Sequence, residues 1–328
     1  MSIIVLVAAF ACLLALGVPI AFAIGLSTFL TMLVSIDFVP AVTTVAQRMA
    51  GGINSFALLA IPLFILSGQL MNQGGIANRL VEFAKVIVGT LPGGLAFVNI
   101  VSCTLFGAIS GSAVAATSGI GSFMIPAMEK EGYPRSFNSA LTAAASTTGL
   151  LIPPSNVLIV YAVASGGVSI SALFIGGYVP GVMVALGLML VSAIYAKRYN
   201  FPRAQRITVK EGIGKTIAAM PSLFLIVFVI GGILAGIFTA TEAGAIAVVY
   251  SLFLSTIIYK QISLKELPSI LIKATETTAI AMLLVGTSMA MSWVLAYENI
   301  PALTASFLLE LSDNPIVILL LINIFLLL

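Results

Sequence analysis

GAISGSAVAATSGIGSFMIP occupies residues 107–126, and SFNSALTAAASTTGLLIPPSN occupies residues 136–156. Both segments concentrate small residues, hydroxyl groups and helix breakers within runs that are otherwise apolar enough for a membrane interior. Lipid offers no hydrogen bonds, so backbone freed by Gly111 or by Pro153 and Pro154 is tolerated only where it is buried in protein or lines a wet cavity. The stretch therefore predicts two broken helices deep in the membrane, which is how many secondary transporters hold substrate and coupling ion.

The composition of the 328 residues defines the class of protein. Hydrophobic residues make up 60% and charged residues 8%, whereas soluble proteins carry about 25% charged residues. We therefore predict an all-α polytopic membrane protein. Nothing supports nucleic-acid binding. Histidine is absent, which removes the commonest metal ligand and proton relay.

Apolar runs long enough to cross a bilayer, about 20 residues each, alternate with short polar segments. Two short crossings are expected in residues 3–35, interrupted at Gly17-Val18-Pro19, and a polar break is expected at residues 37–52. Further spans are predicted at residues 53–71, 170–195, 217–238, 241–259 and 277–296. Residues 76–90 have the spacing of an amphipathic helix that lies in the interface. Glu242 and Glu276 each precede a span and are interpreted as helix-capping acids.

The segment 94–128 is about 35 residues long and has no charge. A single helix of that length would overshoot the bilayer by about 20 Å. A re-entrant hairpin with its tip at Ser110-Gly111-Ser112 fits better. The next apolar run, residues 137–164, is expected to be broken at residues 149–156.

The distribution of charges predicts the orientation. Six cations against one acid, Glu211, mark a cytoplasmic loop: Lys197, Arg198, Arg203, Arg206, Lys210 and Lys215. The loop with Lys260, Lys265 and Lys273 is cytoplasmic by the same rule. Residues 297–314 carry only acids, Glu298, Glu310 and Asp313, and are expected outside.

The two halves of the chain share landmarks at a nearly constant offset. Gly17 and Gly25 match Gly236 and Gly244, and Ala60-Ile61 matches Ala279-Ile280; Asn99-Ile100 matches Asn323-Ile324 after a five-residue insertion. The basic arm of the first half and the acidic arm of the second indicate an inverted-topology repeat. The counterparts of the hairpin tip and broken helix would fall beyond Leu328, so we expect the sequence to lack the end of the second half.

The central stretch favours sodium as its ligand. Residues 94–128 and 137–164 contain no ionisable Asp, Glu, Lys, Arg or His, so a proton relay through this half is not expected. Pro153 and Pro154 lack N–H donors, which frees carbonyls one turn earlier, near Gly149 and Leu150. We predict Na⁺ ligands from the carbonyls of Gly149, Ile152 and Pro153 and from Ser110 and Ser112.

A substrate carboxylate is expected beside this ion. Thr148, Ser155 and Asn156 are the predicted substrate residues, because the second half of the broken helix begins at Ser155-Asn156 with free N–H groups and a positive dipole end. Structural explanations compete with these assignments. The prolines could form only a packing kink, the glycines only helix contacts, and Ser110 and Ser112 could bond back to their own helix.

Three motifs together resemble a known family: GAISGSAVAATSGIG at 107–121, TTGLLIPPSN at 147–156 and GIFTATEAGA at 236–245. They are similar to the large membrane subunit of the tripartite ATP-independent periplasmic (TRAP) transporters over all 328 residues. The resemblance implies an elevator-type ion transporter fold and Na⁺-driven uptake of an organic acid such as a C4-dicarboxylate or sialic acid. It also implies a periplasmic binding protein, a small membrane subunit and a location in the bacterial inner membrane.

By motif, Ser110 and Ser112 match the first hairpin tip of that family, and Gly149, Ile152, Pro153 and Pro154 match its first helix break, which together resemble its first sodium site. We therefore expect a transporter and not an enzyme. The alternatives are a stand-alone divalent-anion/sodium symporter and a non-coupled channel or scaffold subunit.

The predicted domain organisation has five parts. Residues 1–93 form a first scaffold segment with its arm, 94–164 a transport half, and 165–216 a connecting span with the basic loop. Residues 217–314 form a second scaffold segment, and 315–328 begin a second hairpin.

Overall fold

A computed structural model describes residues 2–202, 208–312 and 314–327. Arg203, Arg206 and Asp313, which contribute to the predicted basic loop and acidic arm, lie outside the described residues. The described residues contain helices and no strand. The helices are α1 (Ser2–Ala15), α2 (Ile20–Met32), α3 (Phe38–Ile53), α4 (Ala60–Gln73), α5 (Ile76–Val88), α6 (Gly94–Ser110), α7 (Ala113–Lys130), α8 (Arg135–Ser146), α9 (Thr148–Leu151), α10 (Asn156–Ala164), α11 (Ile170–Arg198), α12 (Val209–Leu234), α13 (Ala240–Phe253), α14 (Leu267–Tyr297), α15 (Ile300–Leu311) and α16 (Pro315–Leu327).

Several of these helices are long and apolar enough to cross a membrane. Within the described residues there are five such helices. They are Phe56–Gln73, Ile170–Arg198, Val209–Leu234, Ala240–Ile258 and Leu267–Tyr297. The bent pair Arg135–Leu151 and Asn156–Ala164 makes a sixth when it is counted as one span. The prediction of an all-α polytopic membrane protein is confirmed.

Local breaks fall where glycine and proline predicted them. α1 ends before Gly17, which has a φ of +77°, and α2 begins directly after Pro19. Glycine adopts this conformation without the steric penalty of a side chain, and proline is favoured near a helix start. The hairpin tip and the broken helix also lie at their predicted positions.

The polar break at residues 37–52 forms the helix α3, which is not among the candidate spans of the described residues. One expectation was wrong. Glu276 lies in the interior of α14, which begins at Leu267, so it caps no helix start. Glu242 does cap α13: its carboxylate accepts a hydrogen bond from the Thr239 N–H at 2.8 Å.

The chain divides into two compact units, Met1–Asn54 with Ile280–Leu328, and Ser55–Ala279. In the first unit, Met32, Ala41 and Val294 form a buried cluster, and the guanidinium of Arg48 lies 5.0 Å from the ring centroid of Trp293. In the second unit, Leu70, Ile262 and Ile270 form a corresponding cluster between α4, the end of α13 and the start of α14.

Equivalent backbone features occur in the two sequence halves. Gly236 has a φ of +71° between α12 and α13, as Gly17 has between α1 and α2. A Cβ built on Gly25 would lie 3.1 Å from Thr287, and one built on Gly244 would lie 3.0 Å from Leu63. Each matched glycine therefore permits a close helix contact. These features support the internal repeat; its inverted orientation stays a prediction.

An ion-pair cluster fastens α5 to α12. The Glu82 carboxylate is 2.6 Å from Lys85 Nζ and 2.7 Å from Lys215 Nζ. Burial on its own raises the pKa of Glu82, but the hydrogen bonds and positive charges of Lys215 and Lys85 outweigh it and hold the pKa below its usual value. A carboxyl group whose pKa is lower in the folded protein than in the unfolded chain stabilises the fold at pH values above its usual pKa. This stabilisation is lost as the pH falls through the lowered pKa of the folded protein.

We expect Glu82→Gln to be less stable than the parent at pH 7, by about 1 kcal/mol or less because the three side chains are partly exposed. The difference should close as the pH falls below the usual glutamate pKa of about 4.3. Melting temperatures measured in detergent between pH 7 and pH 3.5 would check this. Glu129→Gln is the matched control, since among the described residues Glu129 pairs with the exposed Arg135 alone. A difference that persists unchanged at low pH would contradict the assignment.

Candidate functional site

The hairpin tip is a sharp turn between α6 and α7. Gly111 ends α6 with a φ of +60°, and its N–H donates to the Gly107 carbonyl at 2.8 Å. Ser112 is extended and caps α7, because its Oγ accepts a hydrogen bond from the Ala115 N–H at 3.3 Å. A glycine with positive φ followed by a serine cap is how one helix ends and another starts within two residues.

Ser110 and Ser112 differ from most of the other hydroxyl residues of this hairpin. Ser110 is fully buried, and its Oγ donates to the Ser112 carbonyl at 3.4 Å. The hydroxyls of Thr104, Thr117, Ser118 and Ser122 instead bond to carbonyls one turn earlier in their own helices. Ser110 Oγ therefore bonds across the turn and not to a carbonyl one turn earlier. Ser112 Oγ bonds to its own helix by capping it, as the back-bonding alternative allows.

The broken helix consists of α8, α9 and α10. Ile152 and Ser155 are extended, and the two halves are bent by 48°. Since Pro153 and Pro154 lack N–H groups, the carbonyls before them lose their helical donors. In the part of the chain that the structure describes, the carbonyls of Gly149, Ile152 and Pro153 accept no hydrogen bond.

The Leu150 carbonyl is an exception to the expected pattern. It was expected to be free, but it accepts a hydrogen bond from Ser155 Oγ at 2.5 Å. The Ser155 hydroxyl also accepts from the Leu158 N–H at 3.4 Å and so caps α10. Ser155 therefore bridges the two sides of the break, and its hydroxyl is already engaged.

The two breaks lie against each other. A Cβ built on Gly111 would be 3.0 Å from the Pro154 carbonyl oxygen and 3.2 Å from the Asn156 nitrogen. One turn away, a Cβ built on Gly107 would be 2.3 Å from the Gly149 Cα. Only glycine allows backbones to approach so closely. The structure thus brings the hairpin tip and the helix break into direct contact.

Asn156 adds a polar group at this junction. Its Oδ1 is buried and has no hydrogen-bond donor among the described residues. A buried acceptor without a hydrogen-bond donor costs about 1–3 kcal/mol of folding free energy. A coordinated cation, or a hydrogen-bond donor from a bound molecule, would stabilise it. Together with Ser110 and the free carbonyls, it makes a set of neutral oxygen atoms.

Thr148 lies apart from the other predicted substrate residues. Its Oγ1 donates to the Ala145 carbonyl at 2.6 Å and lies 3.0 Å from Thr104 Oγ1. It therefore faces α6, whereas Ser155 and Asn156 lie at the start of α10. Its assignment to the substrate stays a prediction.

Two contacts that hold this site together were not predicted from the sequence. A Cβ built on Gly68 of α4 would lie 2.9 Å from Ser110 Cβ, so α4 closes over the hairpin tip. Asn99 Nδ2 donates to Thr142 Oγ1 at 2.7 Å and ties α6 to α8. The small residues Ser67 and Gly68 within an apolar span indicate a close helix contact of the kind that α4 makes with Ser110. No residue near Asn99 in the sequence indicates that its partner is Thr142.

The model of the family described as "Tripartite ATP-independent periplasmic transporter, DctM component" matches residues 7–328. The chain belongs to this family. It is therefore a multi-pass membrane permease component of the TRAP class and not an enzyme.

Individual relatives are similar to most of this chain, and two of the three below are named as TRAP transporter large permease proteins. "Uncharacterized protein YgiK" of Salmonella typhimurium is 50% identical over 99% of this chain and 74% of its own length. The C4-dicarboxylate TRAP transporter large permease protein DctM of Pseudomonas aeruginosa is 40% identical over 93% of this chain and 70% of its own length. The sialic acid TRAP transporter large permease protein SiaM of Vibrio cholerae is 41% identical over 86% of this chain and 66% of its own length.

Proposed function

We propose that this TRAP permease subunit couples the uptake of a small organic acid to the inward movement of Na⁺. The observation that carries the proposal is the contact between the hairpin tip at Gly111 and the helix break at Pro154. This contact brings together backbone carbonyls that accept no hydrogen bond and buried neutral oxygen atoms, with no charged side chain among them. Hard cations bind such oxygen donors.

The ion would be held by Ser110, Ser112 and the carbonyls of Gly149, Ile152 and Pro153. The Asn156 Oδ1, which has no donor within the described residues, joins this set. Since none of these groups titrates near neutral pH, binding of the ion would not require a proton. This favours Na⁺ over a proton as the coupling ion.

The organic acid would bind next to the ion. The N-terminus of α10 presents backbone N–H groups and the positive end of a helix dipole at Asn156. A bound Na⁺ would add positive charge beside this terminus, so ion and carboxylate would stabilise each other. That mutual stabilisation is the coupling that symport requires. Relatives named for C4-dicarboxylate and sialic acid favour a carboxylate substrate.

The remaining parts of the proposal follow from the family. A periplasmic binding protein would deliver the acid, and a small membrane subunit would accompany this chain in the bacterial inner membrane. Residues 94–164 would move across the membrane as an elevator-type transport half against the scaffold segments.

Reconstitution tests the proposal directly. The intact transporter in liposomes, supplied with its binding protein and a panel of small organic acids, should accumulate one of them only under an inward Na⁺ gradient. An inward proton gradient in Na⁺-free buffer should give no accumulation. Uptake that is equally fast without Na⁺ would reject Na⁺ coupling. Uptake that does not need the binding protein would favour a stand-alone symporter.

A further inference from the structure

Polar side chains join α6 to the broken helix at three successive levels. The contacts are Asn99 Nδ2 to Thr142 Oγ1 at 2.7 Å, Ser146 Oγ to Cys103 Sγ at 3.6 Å, and Thr104 Oγ1 to Thr148 Oγ1 at 3.0 Å. The two partners of each contact are 43, 43 and 44 residues apart in the sequence. Because this separation is nearly constant, the two segments lie side by side and run parallel, toward the hairpin tip and the helix break.

These contacts fix the register of α6 against α8 and α9. A polar pair inside an apolar helix interface is satisfied in one register, which is how a single buried amide specifies alignment in coiled coils. A slip of one helical turn, about 5.4 Å, would separate all three pairs. Five of the six side chains are fully buried, so they would then lack partners in a medium that offers none.

The pair Thr104 and Thr148 lies nearest to the predicted sodium site. Thr148 is followed directly by Gly149, whose carbonyl is a predicted ligand, and Thr104 is about 9 Å along α6 from Ser110. The helix α9 has only four residues, Thr148–Leu151. A single turn has few hydrogen bonds of its own, so the orientation of α9 depends on contacts with other elements.

The hydroxyl pair has two protons and three acceptors. Thr104 Oγ1 lies 2.8 Å from the Ile100 carbonyl, Thr148 Oγ1 lies 2.6 Å from the Ala145 carbonyl, and either threonine can donate to the other. Ile100 is inside α6, where its carbonyl also has a helical N–H donor. Thr104 can therefore donate to Thr148 without leaving this carbonyl unpaired, while Thr148 keeps its bond to Ala145.

We propose that Thr104 and Thr148 are positioning residues of the sodium site, and that Thr148 does not bind the substrate. Their hydrogen bond holds α9 in the register in which the Gly149 carbonyl and the Ser110 hydroxyl serve one ion. This assignment rests on the proposed function, because both residues act on the binding of Na⁺. Without the bond, α9 leaves this register for part of the time, and the apparent affinity for Na⁺ falls with the fraction that remains competent.

The test is the Na⁺ dependence of uptake by the intact transporter in liposomes, measured with the organic acid that the parent accumulates. Thr104→Val and Thr148→Val each remove a hydroxyl and keep the branched shape. Each should raise the Na⁺ concentration for half-maximal uptake about threefold, which corresponds to about 0.6 kcal/mol, the average for a hydrogen bond between membrane helices. The double variant should show the same threefold change, because both substitutions remove one bond.

Two controls separate positioning from a general loss of hydroxyl groups. Thr117→Val makes the same substitution in the same hairpin, where Thr117 Oγ1 donates to the Ala113 carbonyl of its own helix at 2.8 Å. Its Na⁺ requirement should equal that of the parent. Thr104→Ser keeps the hydroxyl and should restore the parent requirement. Either valine variant is sufficient for the test if the other does not fold.

The maximal rate, and the KM for the organic acid at saturating Na⁺, should stay at the parent values in both valine variants. A higher KM in Thr148→Val under these conditions would make Thr148 a substrate residue and overturn the proposal. A lower maximal rate at an unchanged Na⁺ requirement, or changes that multiply in the double variant, would also overturn it. Uptake by the parent that is independent of Na⁺ would reject Na⁺ coupling together with this assignment, whereas a Na⁺-dependent parent with unchanged variants would reject this assignment alone.

Discussion

Replacing Gly149 with alanine is expected to destabilise the protein by about 3 kcal/mol, the upper range for overpacking a closely packed interior, and to abolish transport. The new Cβ would lie 2.4 Å from the Gly107 Cα. A contact between two backbones cannot be relieved by changing a rotamer, so α6 and α9 must move apart. The same movement would separate Gly111 from Pro154. Thermal unfolding in detergent measures the stability, and uptake in liposomes measures the transport.

Gly176→Ala is the matched control for this prediction. Gly176 also lies within a helix, but a Cβ built on it would meet nothing within 4 Å. Alanine is favoured over glycine in a helix by about 1 kcal/mol, so this variant should be as stable as the parent or slightly more stable. If Gly149→Ala melts at the same temperature as Gly176→Ala, the two breaks are not held together by this glycine contact.

Ser110→Ala is expected to raise the Na⁺ concentration for half-maximal uptake about tenfold. A hydrogen-bonding or coordinating group that faces a charge contributes about 1.5–3 kcal/mol, and 1.4 kcal/mol is a factor of ten in affinity. Ser110 is fully buried at the tip, and alanine leaves the helix and its contact with Gly68 in place. The measurement is initial uptake rate as a function of Na⁺ at fixed substrate.

Ser118→Ala controls for the loss of a hydroxyl elsewhere in the same hairpin. Ser118 is exposed, and its Oγ donates to the Ala115 carbonyl of its own helix at 3.2 Å. Its Na⁺ dependence should match that of the parent. An unchanged Na⁺ response in Ser110→Ala, together with normal expression, would remove Ser110 from the ion site. A reduced maximal rate at an unchanged Na⁺ requirement would assign it a structural role instead.

Local chemistry made much of the fold predictable. The positions of the helix breaks follow from residues that act on their own neighbours: Gly111 ends a helix through its positive φ, and Pro153 and Pro154 remove N–H donors. The long apolar runs identified the spans for the same reason, since each residue carries its own transfer free energy.

The errors came from ambiguous local signals. Glu276 precedes an apolar run and was therefore predicted to cap a helix start. α14 instead begins at Leu267, because no residue between Leu267 and Glu276 ends a helix. The Leu150 carbonyl was expected to be free, and a bond from the nearby Ser155 hydroxyl satisfies it.

The sequence by itself determined that this protein is a bundle of membrane helices with two interruptions, because helix propensity, proline and glycine act over a few residues. Only the tertiary structure decided that the interruptions touch. Gly111 and Pro154 are far apart in the chain, and their contact depends on the packing of Gly107 on Gly149 and of α4 on Ser110. Such contacts depend on which helices become neighbours, and that follows from the packing of the whole unit and not from any one segment.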